Sequence, residues 1–306
     1  MAHILSMKSF DLKELPSKEA HGHLLAAVGP RPIAFASTID SEGNANLSPF
    51  SYFNVFSSNP PVLIFSPARR VRNNTTKDTL HNAESTREVV INVVNFNIVQ
   101  QMSLSSTEYE TGVNEFVKAG LTPVESDIVA PFRVKESPVQ FECKVTEIIS
   151  LGNEGGAGNL ILCEVLRMHV DEDMFNDKGI TDSTKLDLVA RMGGDWYCRA
   201  SGDALFAVEK PILTKGIGVD QIPPRIRNSV FLDGNDLGKL GNIERLPNQQ
   251  ELEEFAENFR IKEIIESSTD GMEVREALHE YAKELLDNNK VIKAWKALLC
   301  DKLNRI

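Results

Sequence analysis

The sequence predicts a mainly β fold with helices, most simply a β-barrel decorated with helices, followed by an α-helical C-terminal extension. Through the first 200 residues, short runs rich in Ile, Val and Phe alternate with Gly, Asn, Pro and Ser, as in strands and hairpins. The same region lacks the regular strand and helix alternation of a doubly wound sheet. From about residue 202 onward, apolar residues recur at helical spacing. We therefore expect two domains, residues 1–201 and 202–306.

Six apolar runs account for the expected strands. They are PIAFASTI, LSPFSYFNVF, VLIFS, EVVINVV, VQFECKVTEII and NLILCEVLRMHV. The fifth run alternates, with Val139, Phe141 and Cys143 on one face and polar residues between them. The glycine-rich turn SLGNEGGAG joins it to the sixth run, so these two runs are expected to form a long hairpin.

Helices are expected in two segments of the first domain and in the C-terminal extension. The segment from Thr76 to Thr86 is polar and compatible with a helix, and residues 96–118 have an amphipathic helical pattern. The extension contains three apolar stripes at helical spacing. These are Leu252, Phe255, Ala256 and Phe259; Val274, Ala277, Leu278, Tyr281 and Leu285; and Val291, Ile292, Trp295, Leu298 and Leu299.

Composition and charge exclude several classes of function. The 306 residues are 42% hydrophobic and 25% charged, and 33 basic against 44 acidic residues give a formal charge of −11. Nucleic acid and anionic membranes are therefore unexpected partners. The four cysteines are widely separated, which favours reduced and mostly buried thiols. No apolar run has the length of a signal peptide or a membrane span, so a cytoplasmic location is expected.

The usual catalytic motifs are absent from the sequence, namely GxGxxG after a strand, GxxxxGK[ST], HExxH and GxSxG. The cluster Gly152, Gly155, Gly156 and Gly158 is better explained by a hairpin loop than by a phosphate-binding loop. His21, His23 and His169 could be considered as metal ligands, but a polar helix-to-loop segment and an exposed strand end explain them better. No metal is expected.

Polar residues that could bind a ligand are concentrated between residues 30 and 82. Prolines beside Ser48, Ser51 and Ser66 leave nearby N–H groups without a strand partner, which suits hydrogen bonding to a polar ring edge. Four cations, Arg69, Arg70, Arg72 and Lys77, precede a predicted helix start, and a helix N-terminus with adjacent cations is a potential phosphate site. A solvated loop paired with surface carboxylates is the alternative explanation.

These residues resemble the flavin reductase-like, FMN-binding split-barrel family, which includes flavoprotein oxygenases. The resemblance rests on GPRPIAFAST, ANLSPFSYFNVFSSNPPVLIFSP, TTKDTLHNAESTREVVINVV and, less closely, ARMGGDWYCRA, and it covers roughly residues 15–200. It implies a six-stranded split barrel that binds FMN at the interface of a homodimer. The extension from about residue 202 distinguishes this chain from short members of the family.

The resemblance also implies roles for individual residues. Arg31 and Pro32 would lie near the flavin, and Ser48, Pro49, Phe50 and Ser51 would line its isoalloxazine. The phosphate would be bound by Ser66, Arg72, Lys77 and Thr79. Arg191 and Tyr197 would approach the open face of the ring, where a nicotinamide or another substrate would stack.

Three functions remain open at this point. The first is NAD(P)H-dependent reduction of flavin, with NADH or NADPH as donor and hydride transfer to flavin N5. The second is a flavoprotein oxidase or oxygenase that acts on a small organic substrate. The third is a non-catalytic FMN-binding module that carries electrons or senses redox state. The extension could cap the barrel, enlarge a dimer interface or close over the flavin.

Overall fold

The computed structural model describes residues 6–212 and 214–300 and divides into two compact units after Phe206. The sequence places this boundary slightly earlier, after residue 201. The strands of the first unit are β1 (Ala34–Ile39), β2 (Ala45–Phe50), β3 (Phe53–Ser58), β4 (Pro61–Phe65), β5 (Glu88–Val93), β6 (Pro123–Val124), β7 (Arg133–Val134), β8 (Val139–Ser150), β9 (Asn159–Val170), β10 (Leu188–Arg191) and β11 (Tyr197–Ala200). Its α-helices are α1 (Ser17–Ala27), α2 (Asp78–Thr86), α3 (Val99–Leu104) and α4 (Glu115–Ala119).

The main sheet has seven strands in the order β2-β1-β5-β8-β9-β4-β3, and every neighbouring pair is antiparallel. Its two edge strands, β2 and β3, are separated by only Ser51 and Tyr52. Two residues span at most about 10 Å, so the sheet must curl until its edges lie side by side. The two edges are not hydrogen-bonded to each other, and the result is a barrel that is open along one seam, as the resemblance implies.

The strand count differs from the expected six. The run LSPFSYFNVF, predicted as one strand, bends at Ser51 and Tyr52. Its first half pairs with β1 as strand β2, and its second half pairs with β4 as strand β3. One continuous apolar run therefore supplies both edges of the open barrel, and the fold class is unchanged.

Strand β1 shows why the sheet is apolar on both faces. Ala34 and Ala36 belong to the core inside the barrel, whereas Ile33 and Phe35 belong to a second core on the outer face. The second core includes Met102 of α3 and Phe116 and Ala119 of α4. Along this part of the chain, the small side chains face the barrel interior and the large ones face the outer core. Helices α3 and α4 contribute to that outer core and so cover the barrel next to β1 and β2.

The predicted hairpin is confirmed. Strands β8 and β9 pair along their length, with register shifts after Glu142 and after Val145. Such bulges bend a strand and increase its twist, which helps a long hairpin follow the curved sheet. Cys143 and Cys163 point into the barrel core, and burial raises the pKa of both thiols. They are therefore protonated, as expected of inert buried thiols.

The second unit is helical, as predicted. Its helices are α5 (Pro224–Arg227), α6 (Gly234–Gly241), α7 (Gln249–Ala256), α8 (Phe259–Glu266), α9 (Gly271–Asp287) and α10 (Val291–Leu299). The second and third predicted stripes lie on α9 and α10, and Trp295 is fully buried, with its indole N–H donating to the carbonyl of Leu240 at 2.9 Å. The core of this unit forms around α6, α9 and α10.

Two details of the extension were not predicted from the sequence. The first stripe crosses from α7 to α8, because the Asn258 side chain caps a new helix there, and Phe259 is exposed. The Pro- and Gly-punctuated stretch GIGVDQIPPRIRNSVFLDGNDLGKLG contains α5 and α6, which none of the three predicted stripes covers. Helix α6 begins at a capping box in which Asp233 and Asp236 each accept a hydrogen bond from the other's backbone N–H. Within the described residues, no helix is long and apolar enough to span a membrane.

Candidate functional site

A polar cleft lies at the start of helix α2, and we call it the α2 cleft. It is formed by β2, the segment that leads into α2, the first turn of α2, and the segment between α3 and α4. Its lining residues are Asn46, Ser48, Arg70, Lys77, Asp78, Thr79, Ser105, Ser106, Thr107, Glu108, Tyr109 and Glu115. Three residues from the predicted set, Ser48, Lys77 and Thr79, are therefore brought together here.

The start of α2 is suited to binding an anion. Lys77 occupies the N-cap position, where Ser, Thr, Asp or Asn is usual, and no side chain caps the helix. The first N–H groups of a helix have no partner within the helix and carry the positive end of its dipole. Lys77, Asp78 and Thr79 all line the cleft, so the start of the helix lies at its wall.

Lys77 is half-buried beside the aromatic ring of Phe50. Its ammonium lies 5.1 Å from the ring centre, a cation–π contact. Burial, together with repulsion from Arg70, lowers the pKa of Lys77, while Glu108 and Glu115 act in the opposite direction. A partly desolvated ammonium of this kind is stabilised by a ligand that brings negative charge into the cleft.

The second cation of the cleft is Arg70, which the sequence analysis did not assign to the phosphate. Its guanidinium donates to the Thr75 hydroxyl at 3.0 Å and lies 3.4 Å from a carboxylate oxygen of Glu108. Arg72, which was assigned, does not line the cleft. Its side chain is 78% exposed and pairs with the other oxygen of Glu108 at 2.9 Å.

A buried hydrogen-bond network supports the floor of the cleft. The carboxylate of Glu115 accepts from the Leu47 N–H at 2.9 Å and from the Asn46 amide at 3.1 Å. Since a carboxylate only accepts, the Asn46 oxygen faces the other way, toward Thr79, whose hydroxyl donates to it at 2.8 Å. The Thr79 proton is thus used inside the protein, so Thr79 would donate to an anion through its backbone N–H. Burial raises the pKa of Glu115, although its hydrogen bonds oppose this.

Ser66 lies outside the α2 cleft, directly after β4. It is buried, and its hydroxyl has no hydrogen-bond partner among the described residues. The hydroxyl faces Gly158, where an added Cβ would lie only 2.7 Å from it. The phosphate role of Ser66 is not tested by this arrangement and stays a prediction.

Arg31 is buried at the end of α1, and three backbone carbonyl groups surround its guanidinium. It donates to the carbonyls of Leu25 at 2.6 Å, of Val28 and of Met192. Burial lowers the pKa of Arg31. Its charge therefore holds the C-terminal end of α1 against the segment after β10. Proximity to a flavin stays a prediction for Arg31 and for the exposed Pro32 that follows it.

Arg191 and Tyr197 are directly opposite each other in the hairpin of β10 and β11, and the guanidinium carbon lies 4.7 Å from the centre of the Tyr197 ring. The backbone of Arg191 also forms an isolated bridge with Arg31. These two predicted residues are thus paired with each other and joined to Arg31. Pro49 is half-buried on β2, and Ser51 is half-buried at the bend that follows it.

Several cleft residues were missed by the sequence analysis. Ser105, Ser106 and Thr107 follow α3 and approach the start of α2 from more than 25 residues further along the chain, and Glu115 lies on α4. Single hydroxyl and carboxylate residues are common on protein surfaces, so their presence in the sequence does not indicate a binding site. Arg70 was within the basic group already noted, but adjacent cations on a loop cannot be ranked without the loop's conformation.

A second titratable cluster lies where the segment between β6 and β7 meets the hairpin of β8 and β9. Its residues Asp127, Glu142 and His169 bring ligand atoms within 4.8 Å of one another. Glu142 is fully buried and accepts from the N–H groups of Asp127, Ile128 and Val129 and from His169. Asp127 pairs with Arg167 at 2.5 Å. Hydrogen bonds within the protein therefore account for this cluster.

The donor set of the α2 cleft fits the phosphate of FMN. Two cationic side chains, the N–H groups at an uncapped helix start and the hydroxyl of Ser48 are groups of the kind that bind phosphate in proteins. The three carboxylates of the cleft have other partners, namely Arg70 and Arg72 for Glu108, Thr111 for Asp78, and Asn46 and the Leu47 N–H for Glu115.

Comparison with known proteins gives a consistent result. A family model described as the flavin reductase like domain matches residues 28–184. A protein of Aquifex aeolicus is 36% identical over 199 residues, which cover 65% of this chain and 99% of that protein. The region matched by the family model contains β1 to β9, α2 and the α2 cleft.

Two solved structures have the same fold. Nitrilotriacetate monooxygenase component B from Bacillus cereus is 28% identical, with a TM-score of 0.61 over 67% of this chain and 99% of its own. A protein of Shewanella frigidimarina with a split barrel domain is 26% identical, with a TM-score of 0.55 over 65% of this chain and 96% of its own.

Proposed function

The chain belongs to the flavin reductase-like family, and from this premise we propose that its first unit holds FMN and acts as an NAD(P)H-dependent oxidoreductase. The observation that carries the choice of FMN is the uncapped start of α2, flanked by Lys77 and Arg70. The positive charge and helix N–H groups of this site complement a ligand that ends in a phosphate. Riboflavin has the same ring but lacks that phosphate.

Each group of the cleft has a defined part in binding the phosphate. Lys77 and Arg70 supply charge, and the backbone N–H groups of Asp78 and Thr79 donate hydrogen bonds along the helix axis. The hydroxyl of Ser48 is a further donor in the same cleft. The hydroxyls of Ser105 and Ser106 already donate to the carbonyls of Met102 and Ser103, at 2.8 and 2.6 Å. Asn46 and Glu115 contribute indirectly, because their hydrogen bonds fix the orientation of Thr79.

The ring of the flavin would lie beyond Ser48, along Pro49, Phe50 and Ser51. Phe50 already links the two regions, because its ring contacts Lys77 on one side and Phe65 on the other, with ring centres 5.3 Å apart in the second pair. Arg191 and Tyr197, which are cross-strand partners, would cover the side where the nicotinamide or another small substrate binds.

When bound, the flavin supplies the redox chemistry by accepting hydride at N5 from NADH or NADPH. The protein needs no side chain as general acid or base for this transfer. Its own part is to hold the phosphate, orient the ring and place N–H dipoles and positive charge where the reduced ring carries negative charge.

The first unit is proposed to act as a homodimer. Strand β3 is an edge strand that pairs only with β4, and both Val55 and Phe56 are 63% exposed on it. Val28 at the end of α1 is 62% exposed. An edge strand that presents large apolar side chains favours association with a second chain.

A flavoprotein oxygenase system is the second candidate. The Bacillus cereus structure, at 28% identity, is a component of a monooxygenase, which favours a link between this fold and oxygenation. In that case the flavin would serve oxidation of a small organic substrate. An electron-carrying or redox-sensing module without turnover is the third possibility, and it differs in lacking a response to reduced nicotinamide.

The experiment that tests the proposal is anaerobic mixing of the FMN-loaded protein with NADH and, separately, with NADPH. Rapid loss of the visible flavin absorption with either nucleotide supports the reductase function. Bound flavin that responds to neither nucleotide contradicts it and favours the electron-carrying module or the oxygenase. A matched sample of free FMN with the same nucleotide controls for the uncatalysed reaction.

A further inference from the structure

The glycine-rich turn between β8 and β9, residues 151–158, lies against the chain segment that carries Arg70. The N–H of Arg69 donates to the carbonyl of Ala157 at 2.8 Å, and the N–H of Gly156 donates to the carbonyl of Arg69 at 2.9 Å. Ala68 and Gly158 form an isolated antiparallel bridge. The turn therefore pairs with residues 68 and 69 almost as a short strand would.

Gly155 is the point of closest approach between the two segments. A Cβ placed on Gly155 would lie 3.0 Å from the Cα of Val71 and 3.1 Å from the carbonyl oxygens of Arg70 and Val71. All three atoms belong to backbone, so no side-chain rotation could relieve the contact. Only glycine allows the turn and the Arg70 segment to pack at this distance.

Further contacts fix the same segment on both sides. Asn159 donates from both its backbone and its side-chain nitrogen to the carbonyl of Pro67, at 3.1 and 3.0 Å. The side-chain amide of Asn74 donates to the carbonyl of Asn153 at 2.9 Å, and Arg70 and Thr75 are joined by a backbone hydrogen bond of 2.8 Å. The path of residues 67–75 is thus set by the turn.

We propose that this turn is a positioning element of the anion site, in which Gly155 sets the place of the Arg70 backbone and thereby aims the guanidinium into the α2 cleft. The proposal rests on the proposed function, because it concerns the same phosphate. It gives the glycine cluster a role beyond closing a hairpin. Gly155 touches no ligand itself, and its effect passes entirely through Arg70.

The test compares Gly155→Ala with Gly152→Ala in the full chain. Gly152 is in the same turn, but its added Cβ would meet only the Cβ of Ala157, at an ordinary 3.4 Å. Affinities for FMN and for riboflavin are measured by fluorescence titration of each variant, and their ratio isolates the phosphate. Riboflavin binding also reports whether the flavin-binding fold persists.

We expect Gly155→Ala to lower the FMN to riboflavin ratio by about tenfold, as for loss of one charge-assisted contact. Gly152→Ala should leave the ratio unchanged. In an Arg70→Ala background, adding Gly155→Ala should change the ratio no further, because both substitutions remove the same contact. A purely structural role would not produce that non-additivity.

Three results would overturn the inference while leaving the proposed function intact. They are an unchanged ratio in Gly155→Ala, an equal loss of FMN and riboflavin affinity, and additive effects of the Gly155 and Arg70 substitutions. If the unmodified protein shows no preference for FMN over riboflavin, the proposed phosphate site itself fails, and this inference fails with it.

Discussion

The ammonium of Lys77 lies 5.1 Å from the centre of the Phe50 ring, which places a cation from the start of α2 over an aromatic residue from the end of β2. In the described part of the chain, no carboxylate lies within salt-bridge distance of this ammonium. Lys77 is therefore held by an aromatic face at the wall of a polar cleft. This arrangement leaves its charge available to a ligand.

Replacing Lys77 by Ala is expected to weaken FMN binding by roughly 1.5–3 kcal/mol, because one charge-assisted contact to the phosphate is lost. Riboflavin affinity should change little, since riboflavin lacks the phosphate. Calorimetric titration with both flavins measures the two effects. Lys144→Ala, at an exposed position on β8, is the matched control and should leave both affinities unchanged. Equal losses for the two flavins would refute the phosphate assignment.

The FMN preference is expected to fall at alkaline pH. Burial lowers the pKa of Lys77, so its charge is lost below the usual lysine value of about 10.4. An anion binds the charged form, so the FMN to riboflavin ratio should be highest below the lowered pKa and decline as the pH rises through it. Ionisation of the ring cancels in the ratio, because both flavins share it. A decline of the same size in Lys77→Met would contradict this origin.

The same titration has the opposite sign for stability. Because the Lys77 pKa is lower in the folded than in the unfolded chain, its contribution to the free energy of unfolding of the ligand-free protein should rise as the pH rises through that range. Denaturant unfolding of the wild type and of Lys77→Met across this pH range measures the difference. A Lys77 contribution that falls with rising pH would be inconsistent with the burial of this group.

Glu108 is expected to compete with the phosphate for Arg70. Its two carboxylate oxygens lie 3.4 Å from Arg70 and 2.9 Å from Arg72. Replacing Glu108 by Gln removes this exposed negative charge and should tighten FMN binding by about 0.2–1 kcal/mol, an effect that salt reduces. Glu110→Gln, in the same loop, serves as control. Weaker FMN binding in Glu108→Gln would instead mean that Glu108 orients Arg70 productively.

The buried carboxylate of Glu142 is expected to contribute strongly to the stability of the first unit. Replacing it by Ala leaves the N–H groups of Asp127, Ile128 and Val129 and the ring of His169 without their acceptor, which should cost about 3 kcal/mol or more. Thermal unfolding measures the loss. Glu147→Ala, exposed on the same strand, should be nearly neutral.

Stability should also fall at acidic pH because of Glu142. Burial alone would raise its pKa, but hydrogen bonds from Asp127 N–H, His169 and the next two N–H groups lower it. A carboxyl whose pKa is lowered by folding stabilises the protein above its unfolded pKa and loses that effect as the pH falls. The stability difference between the wild type and Glu142→Ala should therefore shrink on acidification, and a constant difference would argue against this origin.

The sequence was sufficient for the apolar runs of the main sheet and for the start of α2, because those features depend on local patterns; the short strands β6, β7, β10 and β11 were not predicted. Alternation in β8, the turn before β9 and the basic residues before Asp78 are all visible within short windows. The bend at Ser51 and Tyr52 was not predicted, since it is imposed by closure of the sheet. For the same reason one apolar run was assigned to one strand rather than to two edges.

The remainder of the site depends on contacts that are distant in sequence. Ser105 and Glu115 reach the cleft only because α3 and α4 pack on the outer face of β1 and β2. The choice between Arg70 and Arg72 depends on how residues 67–75 run against the glycine-rich turn. Neither relationship leaves a periodic signal, so a pattern-based prediction could name the basic group without choosing its inward member.

The most direct test of the central claim is titration of the unmodified, flavin-free protein with FMN and with riboflavin under the same conditions. If the α2 cleft holds the flavin phosphate, FMN should bind more tightly than riboflavin by at least tenfold, the equivalent of about 1.4 kcal/mol. Equal affinities, or failure to take up FMN at all, would contradict the claim that Lys77, Arg70 and the start of α2 form a phosphate site.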